Sequence, residues 1–312
     1  MRKTVLTAIA ALGVGVAVVL GTGSSSAQPR TDRWEQVGDD IASGVSGLAV
    51  TSHAPHGLHA LAVRDNKKPG ENRIAEITYR PGLSAVISPI TWHGGAEPID
   101  LEAIDAVPGT SDEYIAVASR GLAYHLKLTD SGESVQVLDL TPLPAIGSGD
   151  NFESFALTSR NGRTAAVWAD RGEGADRPAT LYAAPFSINS YGESQFGTVK
   201  KATFRAPYPT GSVRHASDID VTKSGRMLIS SASDAGDDGP FDSAVTDAGK
   251  LSVTATGKVR ISVDESPEIL AKFKGHKIEA LRCVPGSGSG RAALGTDDEN
   301  AGGAVTTRHL CD

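Results

Sequence analysis

Aromatic side chains are scarce: Phe, Trp and Tyr together make up 5% of the 312 residues. Ala, Val, Leu and Ile must therefore fill most of the interior, which suits thin β-sheets better than a pocket with aromatic walls. Helical periodicity is also missing. Beyond the first twenty-five positions no long stretch places apolar residues at i, i+3, i+4 and i+7. Cysteine is limited to Cys283 and Cys311, without the CxxC company of a metal site. There is no nucleophile elbow, P-loop or HExxH helix, and "GSGSG" from Gly286 to Gly290 has the wrong phase for an elbow and reads as a flexible turn. The acidic loops "SDAGDDGPFD", which holds Asp237 and Asp238, and "GTDDENAGG" miss the D-x-[DN]-x-[DN]-G spacing and read as solvated turns. His53, His56 and His59 span a turn and the strand after it, where alternation sends neighbours to different faces and argues against three-histidine ligation.

Turn formers are plentiful, with 35 glycines and 16 prolines. At the N-terminus, Arg2 and Lys3 precede an apolar run from Val5 to Leu20 and the small residues Ser25-Ser26-Ala27. That order reads as a secretory signal peptide over residues 1–27, cut near Ala27, and the run is short of the roughly 20 residues that span a bilayer. A secreted, extracellular monomer without a stable membrane anchor is expected. Without Arg2 and Lys3 the formal charge of −7 becomes −9, which argues against nucleic acid or an anionic membrane as partner.

The chain repeats itself. "DLEAIDAVPGTSDEYIAVASRG" from Asp100 is followed by "NFESFALTSRNGRTAAVWADRG" from Asn151, and three further copies start near Gly44, His215 and His276. Their anchors, Ser46, Glu102, Glu153, Ser217 and Glu279, are spaced by 56, 51, 64 and 62 residues. A second landmark, Asp65, Ser119, Asp170, Asp234 and Asp297, follows each anchor by 17 to 19 residues. Each unit holds about four strand-like runs, the pattern of a propeller blade. The expected fold is all-β: a five-bladed β-propeller of four-stranded antiparallel blades, forming one domain over residues 28–312. The fifth unit lacks an outermost strand, whereas "DRWEQV" (Asp32 to Val37) has no blade of its own. An N-terminal strand that completes the last blade would remove two exposed edges.

In a propeller, the start of the first strand and the loop after the second share one rim. Glu102, Glu153 and Glu279 then surround the channel mouth, with Ser46 and Ser217 completing the ring. Asp65, Asp170, Asp234, Asp297 and Asp298 lie around it, and Arg64, Arg120 and Arg171 are interleaved. Three glutamates this close need protonation or a partner. A divalent cation such as Ca²⁺ would take such oxygens. Backbone N–H groups of the next blade, or Arg120 and Arg171, would satisfy them structurally, and acid/base catalysis is a third use. A small-molecule or ion ligand is the expected partner, and hydrolysis of esters or phosphoesters is the alternative reading.

The signatures "VSGLAV" with "HALAVRDNK", then "DLEAIDAV" with "YIAVASRG", resemble the bacterial esterase-like phytase propeller domains. The resemblance implies a secreted propeller with phosphatase or esterase activity. Ala103 and Ser154 stand where such signatures usually carry glycine, and Ser217 replaces the glutamate of the fourth blade. Gluconolactonase-like and paraoxonase-like propellers are a looser comparison, with a divalent ion on channel-facing side chains that Glu102, Glu153 and Glu279 match by residue type.

An even cysteine count in an exported chain predicts a Cys283–Cys311 disulfide, worth roughly 3–4 kcal/mol. Ideal strand spacing would hold the two about 9–10 Å apart, beyond the ~7 Å Cα limit. The C-terminal tail must therefore tuck inward.

Overall fold

Each sequence repeat folds into an antiparallel sheet whose innermost strand carries the anchor or, in the first repeat, directly follows it. The computed structural model describes Met1, residues 33–288 and residues 290–311. Positions 2–27 of the expected signal peptide lie outside the described residues. Among the described residues no helix is long and apolar enough to cross a membrane.

Blade 1 comprises Gly47–Ala54, Gly57–Val63, Ile74–Arg80 and Leu83–Pro89, from the channel outward. Blade 2 comprises Leu101–Ala106, Glu113–Ala118, Leu122–Leu128 and Ser134–Pro142, with Thr91–His93 added in parallel at its edge. Blade 3 comprises Phe152–Arg160, Arg163–Asp170 and Ala179–Ile188, with an outer edge split into Ser194–Phe196 and Lys200–Phe204. Blade 4 comprises Val213–Val221, Arg226–Ser233, Asp242–Val253 and Val259–Lys274.

Blade 5 has three consecutive strands of its own, Ile278–Cys283, Arg291–Thr296 and Gly303–His309, and its fourth is Glu35–Gly38 from the start of the chain. Glu35 pairs with Val305 and Gln36 with Ala304. The orphan segment therefore closes the ring as expected. A Cβ on Gly302, whose φ is 82°, would lie 2.2 Å from the Gly38 carbonyl oxygen. Only glycine fits where the two ends of the chain meet.

Five apolar clusters hold the sheets together, one at each blade-to-blade interface. Ile104 and Leu101 meet Leu61 and Ile74 between blades 1 and 2, while Trp168 and Phe155 meet Ile115 and Val117 between blades 2 and 3. Val37 of the closing strand packs with Leu48 and Ile77 between blades 5 and 1, so closure buries side chains as well as pairing backbone. The residue after four of the five anchors is small, Asp218 being the exception, because inner strands nearly touch: a Cβ on Gly47 would stand 2.8 Å from the Ala103 Cα.

The disulfide is formed, with the two Cα atoms 5.8 Å apart. The strand ends at His309, and the N–H groups of Leu310 and Cys311 both donate to the Gly290 carbonyl, at 2.9 and 2.7 Å. These bonds turn the tail across the end of the second strand to Cys283, the inward tuck that ideal strand spacing required.

Candidate functional site

Antiparallel pairing brings the start of every inner strand beside the end of the second, so both sequence landmarks meet at one end of the channel. Around the anchors the ladder slips. Leu101 pairs with Ala118 and Ala103 with Val117, which leaves Glu102 as a bulged residue. Glu153 lies in the same way between Phe152 and Ser154, Glu279 between Ile278 and Ala280, and Ser217 within a wider irregularity after Arg214. A bulged residue has no ladder partner and is re-aimed by the local bend. The repeated acidic-small-apolar phrase is the sequence of this bulge, placed at the channel mouth.

Two of the three glutamates are partnered. Arg171 Nη1 donates to Glu153 Oε1 at 2.7 Å. Arg214 Nη1 lies 3.4 Å from that oxygen and 2.9 Å from Glu279 Oε1, and its Nη2 lies 2.9 Å from Asp234 Oδ2. Lys277 Nζ is 3.0 Å from Glu279 Oε1 and also contacts Glu299. Burial raises the Glu153 carboxyl, and Arg214 and Arg171 pull against it. Burial also opposes ionisation of Asp234, yet Arg214 beside it holds its carboxyl below the usual range.

Glu102 is different. It is 8% exposed and makes no hydrogen bond or ion pair with any described residue. Burial first, then repulsion from Glu153 and Glu279, hold its carboxyl well above the ordinary value. On the same side, burial and the charge of Glu279 push Asp65 up to about 6. Lys67 Nζ is 2.9 Å from Asp100 Oδ1 and 3.6 Å from Asp65 Oδ2. Several fully buried polar atoms at this mouth lack hydrogen-bond partners among the described residues: Glu153 Oε2, Arg171 Nε, Asn151 Oδ1 and Ser217 Oγ. Native interiors leave few such atoms unsatisfied.

The remaining rim residues divide. Burial and Glu279 raise the Asp297 carboxyl, which stays at the mouth near Lys277. Asp170 turns into blade 3, where it pairs with Arg177 at 2.7 Å and accepts from the Asn151 N–H. Asp298 turns into blade 5 against His276, the Lys277 N–H and Thr296. Arg120 is exposed and makes no contact with the glutamates; the pairing expected of it is made by Arg214 and Lys277. The two acidic loops meet each other, with Asn300 Nδ2 3.0 Å from Asp238 Oδ1. Among the described residues no three His, Cys, Asp or Glu side chains are spaced to close on a metal ion.

Deeper in the channel stands Arg282, which carries no landmark. Its Nε donates to the Leu48 carbonyl at 3.0 Å, and its Nη2 to the carbonyls of Ile104 at 3.1 Å and Phe155 at 3.3 Å. Its Nη1 lies 3.3 Å from both Asp105 Oδ2 and Asp220 Oδ1. One side chain of blade 5 thus bonds to the inner strands of the other four. Asp105, Asp218 and Asp220 also accept the N–H groups of Leu157, Leu281 and Cys283 in the next blade, at 2.7, 2.7 and 2.6 Å. The backbone bonds considered for the glutamates are made by these aspartates. Asp105, Asp220 and Arg282 each follow an anchor by three residues, a signal the repeat contains. Beyond Arg282, a cavity of about 440 Å³ opens at the far end, lined by Val50, Leu157, Lys223, Val284 and the disulfide.

No protein-family model matches the chain, and no curated protein matches it. Solved structures align with it at low identity. A GH43 protein from Bacillus licheniformis is 14% identical over 72% of this chain with a TM-score of 0.41, and the chain spans only 44% of that protein's length. The catalytic domain of the Coprinopsis cinerea GH62 α-L-arabinofuranosidase is 14% identical, with 91% and 100% of the two chains covered and a TM-score of 0.44. The WD40 propeller domain of Doa1 is 12% identical, with 89% and 98% covered and a TM-score of 0.36. The chain's own strand order and register identify it as a five-bladed β-propeller.

Proposed function

We propose that this protein is a secreted binding propeller whose acidic channel mouth takes a positively charged ligand, either a divalent cation such as Ca²⁺ or an organic cation. One observation carries the reading: Glu102 is a buried carboxyl without a cation or donor among the described residues, while Glu153 and Glu279 beside it are both paired. A protein that needed the ring only for stability would have partnered all three, because an uncompensated buried carboxyl is unfavourable. A bound cation would supply the missing charge.

The test is thermal unfolding of the protein after EDTA treatment and then with CaCl₂, MgCl₂, MnCl₂ or an organic amine salt, since a ligand of the folded state raises its midpoint. The expected result is a rise with one of them that Glu102→Gln abolishes. No response to any would overturn the reading.

A second reading is hydrolysis of esters or phosphoesters at the same mouth, in line with the resemblance to esterase-like phytases. It draws on two carboxyls at the mouth, Glu102 and Asp65, both held above their ordinary values by burial and by neighbouring carboxylates, as general acid and base work requires. Turnover of 4-nitrophenyl acetate or 4-nitrophenyl phosphate that depends on Glu102 would support it over simple binding.

A further inference from the structure

The carboxyl groups at the mouth are not evenly neutralised. On the side of blades 3 to 5, Arg171, Arg214 and Lys277 are locked onto Glu153 and Glu279. Toward blades 1 and 2, the group of Asp65, Asp100 and Glu102 has one cation among the described residues, the ammonium of Lys67. The two kinds of cation differ in burial. Lys277 is 1% exposed at its side chain and fixed, whereas Lys67 is 59% exposed and reaches the carboxylates from solvent on the loop after the second strand of blade 1.

We propose that the group this mouth receives is a primary ammonium, and that Lys67 Nζ holds its place. The inference rests on the binding reading above and names its ligand class. Lys67 Nζ stands at hydrogen-bond distance, 2.9 Å, from Asp100 Oδ1 and 3.6 Å from Asp65 Oδ2. The 2.9 Å approach suits a primary ammonium and is too close for a quaternary one, whose methyl groups hold the nitrogen away, while Asp65 at 3.6 Å adds charge without a hydrogen bond. Ca²⁺ instead needs six to eight oxygens at about 2.3–2.6 Å. Burial works against the Lys67 charge, but Asp100, Asp65 and Glu102 together hold its ammonium well above the ordinary lysine value. Glu102 shares this field without touching the amine, so a ligand that enters further than a tethered lysine can reach would gain the buried carboxyl that Lys67 leaves unpaired. Because Lys67 is tethered and exposed, it acts as a built-in competitor for that ligand. A site free about one-tenth of the time binds about tenfold more weakly than a free one.

Isothermal titration of wild type and Lys67→Met with n-butylammonium chloride, choline chloride and CaCl₂, at matched ionic strength, tests this. Lys67→Met should bind butylammonium about tenfold more tightly than wild type, ignore choline, which has no N–H donor, and lose the gain when combined with Glu102→Gln. Lys67→Met removes the ammonium facing Asp65 and Asp100, so its ligand-free midpoint should fall, and a cooperative unfolding transition shows that the fold is kept for the titration. Equal butylammonium affinity in wild type and Lys67→Met would overturn the competitor role. Binding of CaCl₂ with no response to butylammonium, or equal binding of choline, would overturn the ligand class and leave the cation-binding mouth standing. Absence of binding by every probe in both proteins would overturn both.

Discussion

Arg282 Nη1 lies 3.3 Å from Asp220 Oδ1, and through that pair a side chain of the last blade is fastened to the one before it at the channel axis. The other N–H groups of the guanidinium reach blades 1, 2 and 3. Its five donors in a rigid fork suit this task, and no other side chain offers as many. Burial works against its charge, but Asp105, Asp220 and Asp218 keep the guanidinium firmly protonated.

Removing that hub should unsettle the whole ring. Arg282→Met leaves Asp105, Asp218 and Asp220 buried without their cation, and breaking a buried pair in this way costs about 3–5 kcal/mol. Arg282→Lys should restore only part of the loss, because three N–H donors on one atom cannot reach acceptors in four blades. Urea unfolding of the three proteins checks this, and wild-type stability in Arg282→Met would sink it.

Glu153 and Glu102 should answer the same substitution in opposite ways. Glu153→Gln strips charge from the carboxylate that holds Arg171 and contacts Arg214, with an expected loss of about 3 kcal/mol. Glu102→Gln removes a carboxyl whose ionisation is opposed by burial and by Glu153 and Glu279, and should be neutral or stabilising at neutral pH. Midpoints that fall equally in both variants would show that Glu102 is paired after all.

The pH profile follows from the same asymmetry. A carboxyl whose value is higher folded than unfolded binds more protons in the folded state, so its effect on stability grows less favourable as pH rises through that window. For Glu102 the window opens near its ordinary value of 4.5 and extends upward, and for Asp65 and Asp105 it runs from 3.8 to about 6. Each unit of raised value corresponds to about 1.4 kcal/mol. Glu102→Gln should therefore gain stability over wild type on going from pH 4 to pH 8, by a few degrees in midpoint. A difference between the two proteins that does not change with pH contradicts this.

Much of this architecture was readable beforehand, because blade building is local. Alternating runs such as "EYIAVA" and "RTAAVWAD" lie beside their partners, and the short fifth unit with the orphan "DRWEQV" left one way to close the ring. The mouth was only half readable. Its glutamates fall at a repeated position, but Arg214 and Lys277 precede or flank their anchors without a pattern of their own, and Arg120, placed by the pattern, is exposed. Arg282 was hidden inside an ordinary strand, "IEALRC", since its partners come from positions up to 234 residues away. Convergence of that kind is a property of the closed ring.

Loss of the disulfide should loosen the tail more than the ring. Cys311 is held by one covalent bond and the turn at Gly290, and the cross-link spans 28 residues. Reduction, or Cys283→Ser with Cys311→Ser, should lower stability by about 3–4 kcal/mol in the chain-entropy model. Urea midpoints with and without dithiothreitol measure it, and coincident curves would contradict it.

Deleting residues 33–38 should be more disruptive than its length suggests, because it uncovers the edges of blade 5 and removes Val37 from the cluster between blades 5 and 1. Unpaired edges recruit one another. Size-exclusion chromatography should show association of the truncated protein, and a clean monomer of wild-type stability would refute the prediction.

The bulges at the channel mouth separate two kinds of information in one chain. A bulged residue contributes nothing to ladder pairing, so the strands place no demand on its side chain, and what demand there is comes from across the channel. Ser46, just before its strand, and the bulged Glu102, Glu153, Ser217 and Glu279 are thus five letters that the ladder does not read, while Arg171, Arg214 and Lys277 read Glu153 and Glu279 as a set. A propeller built this way can change Glu102 or Ser217 singly, whereas Glu153 and Glu279 must change together with the cations that hold them.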